Sequence, residues 1–227
     1  MSQTAPKDEL LKALGRLVRG LSALFWGLPL ALLVCVKTAT NEWLRPLGIL
    51  PPILVTGMLF YGLTQLGYFQ KQERVWAGAL ERAKILALVN VGLSPFIYWW
   101  NKLPDVSFYS LAVTMLMLFG IVFLYNLNQV LQRLAAMLPD ETLRTETRVF
   151  GNLNISLLSA NLALVLCYIL LQQIPNLPDF IVRIFHVLEF GRQWLLVFLI
   201  LLPTAMTMTL IWKIKEVIFA SVFSQEH

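Results

Sequence analysis

The sequence is poor in charge and in the side chains that most often hold metals or form disulfides. Of its 227 residues, 14% are charged and 58% are hydrophobic, and only two are cysteine and two histidine. An ordinary soluble domain has about one quarter charged residues, and disulfide scaffolds are dense in cysteine. These shortages exclude a soluble single-core protein, a disordered chain and a disulfide scaffold.

Acidic residues are missing from every long apolar run. None of the 13 acidic side chains falls inside one of these runs, whereas proton pumps place carboxylates within the membrane. A carboxylate-based proton pump is therefore disfavoured. The net charge of +5 lies in short clusters between the runs, which is typical of a polytopic membrane protein and predicts no nucleic-acid partner.

Six apolar runs approach the length that a helix needs to cross the hydrocarbon core, about 20 residues. They lie near 19–36, 47–69, 85–100, 106–126, 153–172 and 193–212. The third is the weakest by length, and it is short unless its helix begins before Lys84. The sequence predicts an all-α, polytopic integral membrane helix bundle with six transmembrane helices, organised as a single membrane domain over 1–227.

Lysine and arginine are unequally divided between the two sides of these predicted spans. With the amino terminus inside, thirteen of the 18 lie on the inner side and five on the outer side. Positive charge is enriched in cytoplasmic loops, so both termini are predicted to be cytoplasmic. A cell inner (cytoplasmic) membrane fits this bias, and an organelle inner membrane is left open. Trp99 and Tyr109 would mark the outer boundary, and Tyr68 and Tyr125 the inner one.

The chain ends and the longer connections have helical patterns. Residues 1–18 are predicted to form an amphipathic cytoplasmic helix, which either lies in the inner interface or extends the first span. Residues 70–84 and 127–150 are also predicted to be amphipathic helices. Residues 180–190 are predicted to form a short re-entrant or interfacial helix, and 213–227 a cytoplasmic tail.

Two short patterns recur along the chain and suggest three repeated helix hairpins. The first opens each pair of spans and the second closes it, as an aromatic residue followed four positions later by Gln or Glu. The members are Leu21-Ser22-Ala23, Leu93-Ser94-Pro95 and Leu158-Ser159-Ala160, and then Tyr61 with Gln65, Tyr125 with Gln129, and Trp212 with Glu216. Chance similarity among apolar segments is an equally open explanation.

Uncharged polar residues provide the candidate intramembrane positions. In lipid such side chains should face the bundle and hydrogen-bond between helices. The candidates are Asn90, Ser94, Asn154, Ser159 and Asn161. Asn154 and Asn161 are seven residues apart and so share one helix face. Helix packing is the favoured role, and a path for a polar ligand or ion is the alternative.

Three prolines inside the predicted spans are candidate kinks: Pro29, Pro95 and Pro203. Each removes the backbone hydrogen bond to the carbonyl four residues earlier. The expected result is a kink or a freed carbonyl that a neighbouring polar group can satisfy.

The remaining reactive side chains form no recognisable site. His186 and the terminal His227 do not make a bis-histidine haem site. Cys35 and Cys167 are favoured as small buried packing residues, with a disulfide as the alternative. No catalytic residue, metal site or cofactor is therefore predicted, and an enzyme is disfavoured.

The predicted function follows from these absences. A non-catalytic integral membrane subunit would pack within a larger membrane assembly and present its basic cytoplasmic helices to a partner. Its expected partners are the lipid bilayer and other membrane proteins or further copies of the chain. One alternative is a small channel or carrier for a neutral or lipid-like solute. Another is a quinone- or pigment-associated redox subunit with aromatic side chains stacked on the ring.

Overall fold

The described part of the chain is almost entirely helical. The structure, a computed structural model, describes residues 4–40, 46–69, 73–138, 140–171 and 199–220. Its elements are α1 (Thr4–Thr40), α2 (Leu50–Leu66), α3 (Arg74–Leu93), α4 (Phe96–Lys102), α5 (Ser107–Met137) and α6 (Glu141–Leu171). Residues 199–220 are helical throughout and are called α7. These residues contain no strand, which confirms the all-α prediction over this part of the chain.

Four segments are long and apolar enough to cross a membrane. They are Lys12–Thr40, Arg74–Lys102, Ser107–Met137 and Glu141–Leu171. Helix α2 is also apolar, with 17 residues. The prediction of helices with the length and composition of membrane spans is thus confirmed in this coarser form. The number of six spans, the orientation of the termini and the three repeated hairpins stay predictions.

The first helix joins two segments that the sequence pattern separated. Helix α1 is continuous from Thr4 to Thr40, so most of 1–18 and all of 19–36 belong to one helix. This is the arrangement in which the amphipathic segment extends the first span. Hydropathy marks only the part of a helix that suits hydrocarbon, whereas backbone hydrogen bonding continues into the polar flank.

The third predicted span gains its length in the same way. Helix α3 begins at Arg74, ten residues before Lys84, and α4 ends at Lys102. The predicted helix over 70–84 is therefore largely the first half of α3. Helices α5 and α6 likewise share the segment 127–150, and α7 continues past 212 to residue 220.

Helix boundaries fall where side chains or proline interrupt the backbone pattern. Ser94 and Pro95 form the turn between α3 and α4. At the start of α6, Asp140 Oδ1 accepts hydrogen bonds from the backbone N–H groups of Thr142 at 2.9 Å and Leu143 at 3.1 Å. This is an N-cap, which supplies acceptors to N–H groups that have no partner within the helix.

Helices α1 and α2 approach closely because two glycines face each other. A Cβ atom at Gly20 would lie 2.7 Å from the carbonyl oxygen of Gly62, and one at Gly62 would lie 3.0 Å from that of Gly20. Small residues at a helix crossing allow this backbone approach, which is a main source of packing energy in lipid.

The buried hydrophobic core lies toward one end of the described helices. It is formed by the middle of α1, the second half of α2, the first half of α3 and the second halves of α5 and α7. Representative fully buried members are Leu17, Leu21, Leu24, Leu63, Leu66, Trp76, Leu127, Leu131, Leu134, Ile211 and Ile214. This is the end at which α1 begins and α5 ends, and the basic groove described below opens beside it.

Some sequence predictions lie outside the described residues. These are the re-entrant helix over 180–190, His186 within it, His227, and the last seven residues of the predicted tail.

Candidate functional site

Three helices meet at a cluster of buried polar side chains. Asn154 of α6 is fully buried, and its Nδ2 lies 3.0 Å from Asn128 Oδ1 of α5, 3.0 Å from Thr207 Oγ1 of α7 and 3.1 Å from the carbonyl oxygen of Pro203. Asn128 Nδ2 donates to Thr207 Oγ1 at 2.9 Å, and Thr207 Oγ1 donates to the Pro203 carbonyl at 2.8 Å. Side chains of α5, α6 and α7 are thus held in one hydrogen-bonded network.

The second asparagine of α6 serves a carbonyl that proline has left free. Pro203 has no N–H for the carbonyl of Leu199, four residues earlier. Asn161 is buried, and its Nδ2 donates to that Leu199 oxygen at 3.1 Å. Asn154 and Asn161 therefore both reach α7 from the shared face of α6.

A similar arrangement occurs at the turn between α3 and α4. Pro95 leaves the carbonyl of Val91 without its helical partner, and the buried Ser94 Oγ donates to that oxygen at 2.9 Å. Thr56 of α2 lies 3.3 Å from the same Ser94 hydroxyl. Pro29 lies within α1, which continues on both sides of it.

The Asn161 bond to Leu199 should matter only while residue 203 is proline. We expect Asn161→Ala to lower the free energy of unfolding by about 0.6 kcal/mol, up to about 1.7, which is the range for hydrogen bonds between membrane helices. In a Pro203→Ala background the alanine N–H can donate to Leu199, so the same Asn161→Ala change should cost clearly less. A double-mutant cycle measured by unfolding in mixed micelles gives both values.

Ser159→Ala provides the matched control, because Ser159 is on the same helix but exposed. Its hydroxyl donates only to its own helix, at 2.8 Å from the Ile155 oxygen. The control should leave stability unchanged. Equal costs of Asn161→Ala with and without the Pro203→Ala change would contradict the assignment.

Ser159 departs from the expectation that intramembrane polar residues face the bundle. A serine hydroxyl can return to the carbonyl four residues back, so it needs no neighbouring helix, whereas the longer amide of asparagine reaches across. Asn90 is buried, with 7% of its surface exposed. Its Oδ1 has no hydrogen-bond partner among the described residues.

The two cysteines are free thiols. Cys35 is half-buried and Cys167 is exposed, so the expectation of two buried packing residues is wrong for Cys167. No disulfide joins the two cysteines.

A basic groove opens at the end of the bundle where α3 and α6 begin and α5 ends. Its volume is about 610 Å³, and α3, α5 and α6 all contribute to its lining. Four arginines and three amides supply its polar side chains: Arg82, Arg133, Arg144, Arg148, Gln129, Gln132 and Asn152. Its apolar lining is Val75, Ala79, Ala136 and Ile155. We call this the arginine groove.

The positive charge of the arginine groove has no counter-charge in its lining, which contains no acidic residue. Arg82 Nε donates to the Gly78 carbonyl at 3.3 Å, and an Arg144 guanidinium nitrogen donates to the Ala136 carbonyl at 3.1 Å. Within the described chain, the guanidinium groups of Arg133 and Arg148 make no hydrogen bond or ion pair. At least two cations of the groove are therefore not paired with any other described residue.

Sequence reasoning missed both Asn128 and the arginine groove. Asn128 lies three residues after Tyr125 and just past the predicted span 106–126. Its sequence position therefore gave no reason to expect a buried side chain. The four arginines come from three separate segments, so no local motif marks them.

The side chains at these sites are amides, hydroxyls and guanidinium groups, which form hydrogen bonds. Among the described residues, no group of three His, Cys, Asp or Glu side chains could hold a metal ion. Comparison with protein-family models, with curated proteins and with solved structures finds no match to this chain.

Proposed function

We propose that this chain is a non-catalytic integral membrane subunit that packs within a larger membrane assembly and presents its basic helix ends to a partner. The observation that carries the proposal is the use of the polar side chains inside the bundle. Asn128, Asn154 and Thr207 bond one another, and Asn161 bonds the α7 backbone. Groups committed to holding helices together support a packing role more than a solute path.

The basic end of the bundle supports the second half of the proposal. Lys12 near the start of α1 and Lys215 near the end of α7 lie at this end, together with the arginine groove. Under the positive-inside rule this end faces the cytoplasm, which gives an inner-membrane protein with both termini inside. A partner with an acidic surface would be attracted to it, since complementary charge steers association.

Extraction from the native membrane in a mild detergent, followed by mass analysis of the intact assembly, tests the proposal. We expect this chain in a larger assembly of constant composition. The double variant Lys12→Gln/Lys215→Gln should weaken that assembly, because it removes two cations from the basic end. The matched control Lys37→Gln/Lys102→Gln removes two exposed cations from the opposite end and should leave it intact.

A chain that is recovered alone, or only as copies of itself, would contradict the subunit proposal. Equal loss of partners in both double variants would contradict the role of the basic end.

One observation favours a second candidate, a channel or carrier for a neutral solute. The Oδ1 atoms of Asn90 and Asn154 are buried and accept no hydrogen bond from the described residues. Unpaired acceptors of this kind could bind a solute that carries donors. Flux of such a solute into liposomes, abolished by Asn90→Leu, would favour this function over the subunit role.

A further inference from the structure

The lengths of the helices that form the arginine groove indicate where the groove lies relative to the hydrocarbon core of the membrane. Helix α5 has 31 residues, about 46 Å at 1.5 Å per residue, whereas the hydrocarbon core is about 30 Å thick. Helix α6 also has 31 residues, and the segment Arg74–Lys102 has 29. All three helices therefore extend past the hydrocarbon by roughly ten residues.

Aromatic side chains indicate which ends of these helices stay at the hydrocarbon boundary. The rings of Trp99 on α4 and Tyr109 on α5 stack with centroids 6.4 Å apart, beside the first turn of α5. Trp and Tyr prefer the membrane interface, so this end of α5 is anchored there. The excess length then lies at the other end, where Gln129, Arg133 and Ala136 line the groove. The groove is thus at the depth of the lipid headgroups.

The chemistry of the groove matches a phosphate group. Arginine forks and side-chain amides donate several hydrogen bonds to phosphate oxygens, and Arg133 and Arg148 are uncommitted within the described chain. A volume of about 610 Å³ has the size of a small-molecule site. Helix α6 begins at this end, so Ile155 lies nearer the hydrocarbon than Arg144 and Arg148 do. Its apolar side chain suits the glycerol and upper acyl carbons that follow a headgroup phosphate.

We propose that the arginine groove binds the phosphate-bearing headgroup of an anionic phospholipid from the adjacent leaflet. Basic pockets between membrane helices on the cytoplasmic side commonly take such headgroups. The phosphate is held by Arg133 and Arg148, with the amide of Gln129 as a further donor. This binding is independent of any protein partner and goes beyond the subunit role.

Retention of lipid by the purified, delipidated chain tests this proposal. The probes are phosphatidylglycerol and phosphatidylcholine with identical acyl chains, added in detergent and counted by native mass spectrometry. We expect one phosphatidylglycerol to be retained, with an apparent affinity on the order of tenfold or more above that of phosphatidylcholine. In Arg133→Gln/Arg148→Gln this preference should disappear.

Matched variants separate the groove from charge in general. Lys12→Gln/Lys215→Gln removes the same charge from the same end but outside the groove, and it should keep the preference for phosphatidylglycerol. If the double variant fails to fold, the single change Arg133→Gln provides the test. Arg133 is exposed and makes no hydrogen bond within the described chain, so this change should fold and should lower the affinity for phosphatidylglycerol. Failure of the subunit proposal would appear as missing protein partners and would leave these lipid results untouched.

Four outcomes would overturn the proposal. Equal retention of the two lipids, or equal loss of the preference in both double variants, would show that the groove does not select an anionic headgroup. Displacement of phosphatidylglycerol by millimolar inorganic phosphate would assign the groove to a soluble phosphate compound. Tighter binding of an oligoglutamate peptide than of phosphatidylglycerol would assign it to an acidic protein segment.

Discussion

Gly62→Val is expected to separate α1 from α2 and to lower the free energy of unfolding by about 3 kcal/mol, at the upper end of the range for overpacking. The reason is that the new side chain meets backbone. A Cβ at this position lies 3.0 Å from the Gly20 carbonyl oxygen and 2.8 Å from Leu24 Cγ. A carbonyl on a helix cannot rotate away, so the two helices must move apart and lose their close contact.

Unfolding in mixed micelles, with a crosslink between α1 and α2 as a second readout, measures the effect. Gly57→Val is the matched control on the same helix, because a Cβ there has nothing within 4 Å. It should change stability by less than about 0.5 kcal/mol, as is usual for surface substitutions. Similar losses in the two variants would show that glycine flexibility, and not close approach, is what Gly62 supplies.

Asn154→Leu is expected to destabilise the bundle by about 2–4 kcal/mol. Its two amide hydrogens serve three acceptors on α5 and α7, and each bond between membrane helices contributes about 0.6 kcal/mol, up to about 1.7. Leucine has the same branched arrangement of heavy atoms but leaves Asn128 Oδ1 buried without this donor, which adds a cost of about 1–3 kcal/mol.

The control for this change is Asn126→Leu on α5. Asn126 Nδ2 donates to the Val122 carbonyl of its own helix at 2.8 Å, so its loss breaks no tie between helices. Unfolding in mixed micelles should show little change for this variant. An Asn154→Leu protein as stable as Asn126→Leu would mean that the network holds no helices together.

Local sequence patterns led to the expectation that Asn154 and Asn161 of α6 form hydrogen bonds to neighbouring helices. Asparagine in an apolar run must find a partner in lipid, and spacing by seven puts Asn154 and Asn161 on one face. Proline frees a carbonyl at a known position, which is the Leu199 oxygen that Asn161 reaches. These expectations need no knowledge of which helix lies opposite.

Features that depend on several distant segments could not be predicted in this way. The arginine groove exists because α3, α5 and α6 bring Arg82, Arg133 and Arg148 together, and each arginine alone resembles an ordinary basic flank. The orientation of Ser159 could not be predicted either, because a serine hydroxyl can donate to a carbonyl of its own helix or to a neighbouring helix.

The length of the apolar part of α1 indicates which bilayer thickness suits the chain. The charged side chains of Arg19 and Lys37 are both exposed and bracket the apolar part of the helix, and the residue steps between them correspond to about 27 Å. This matches thin bilayers of about 27 Å, while sterol-rich membranes measure about 32–33 Å. In the thicker membrane the apolar part of α1 is shorter than the hydrocarbon core, and tilting the helix would only shorten its span further. Hydrophobic mismatch would then have to be relieved by local bilayer thinning or by the two cations reaching outward, at a cost of fractions of a kcal/mol per Å of mismatch.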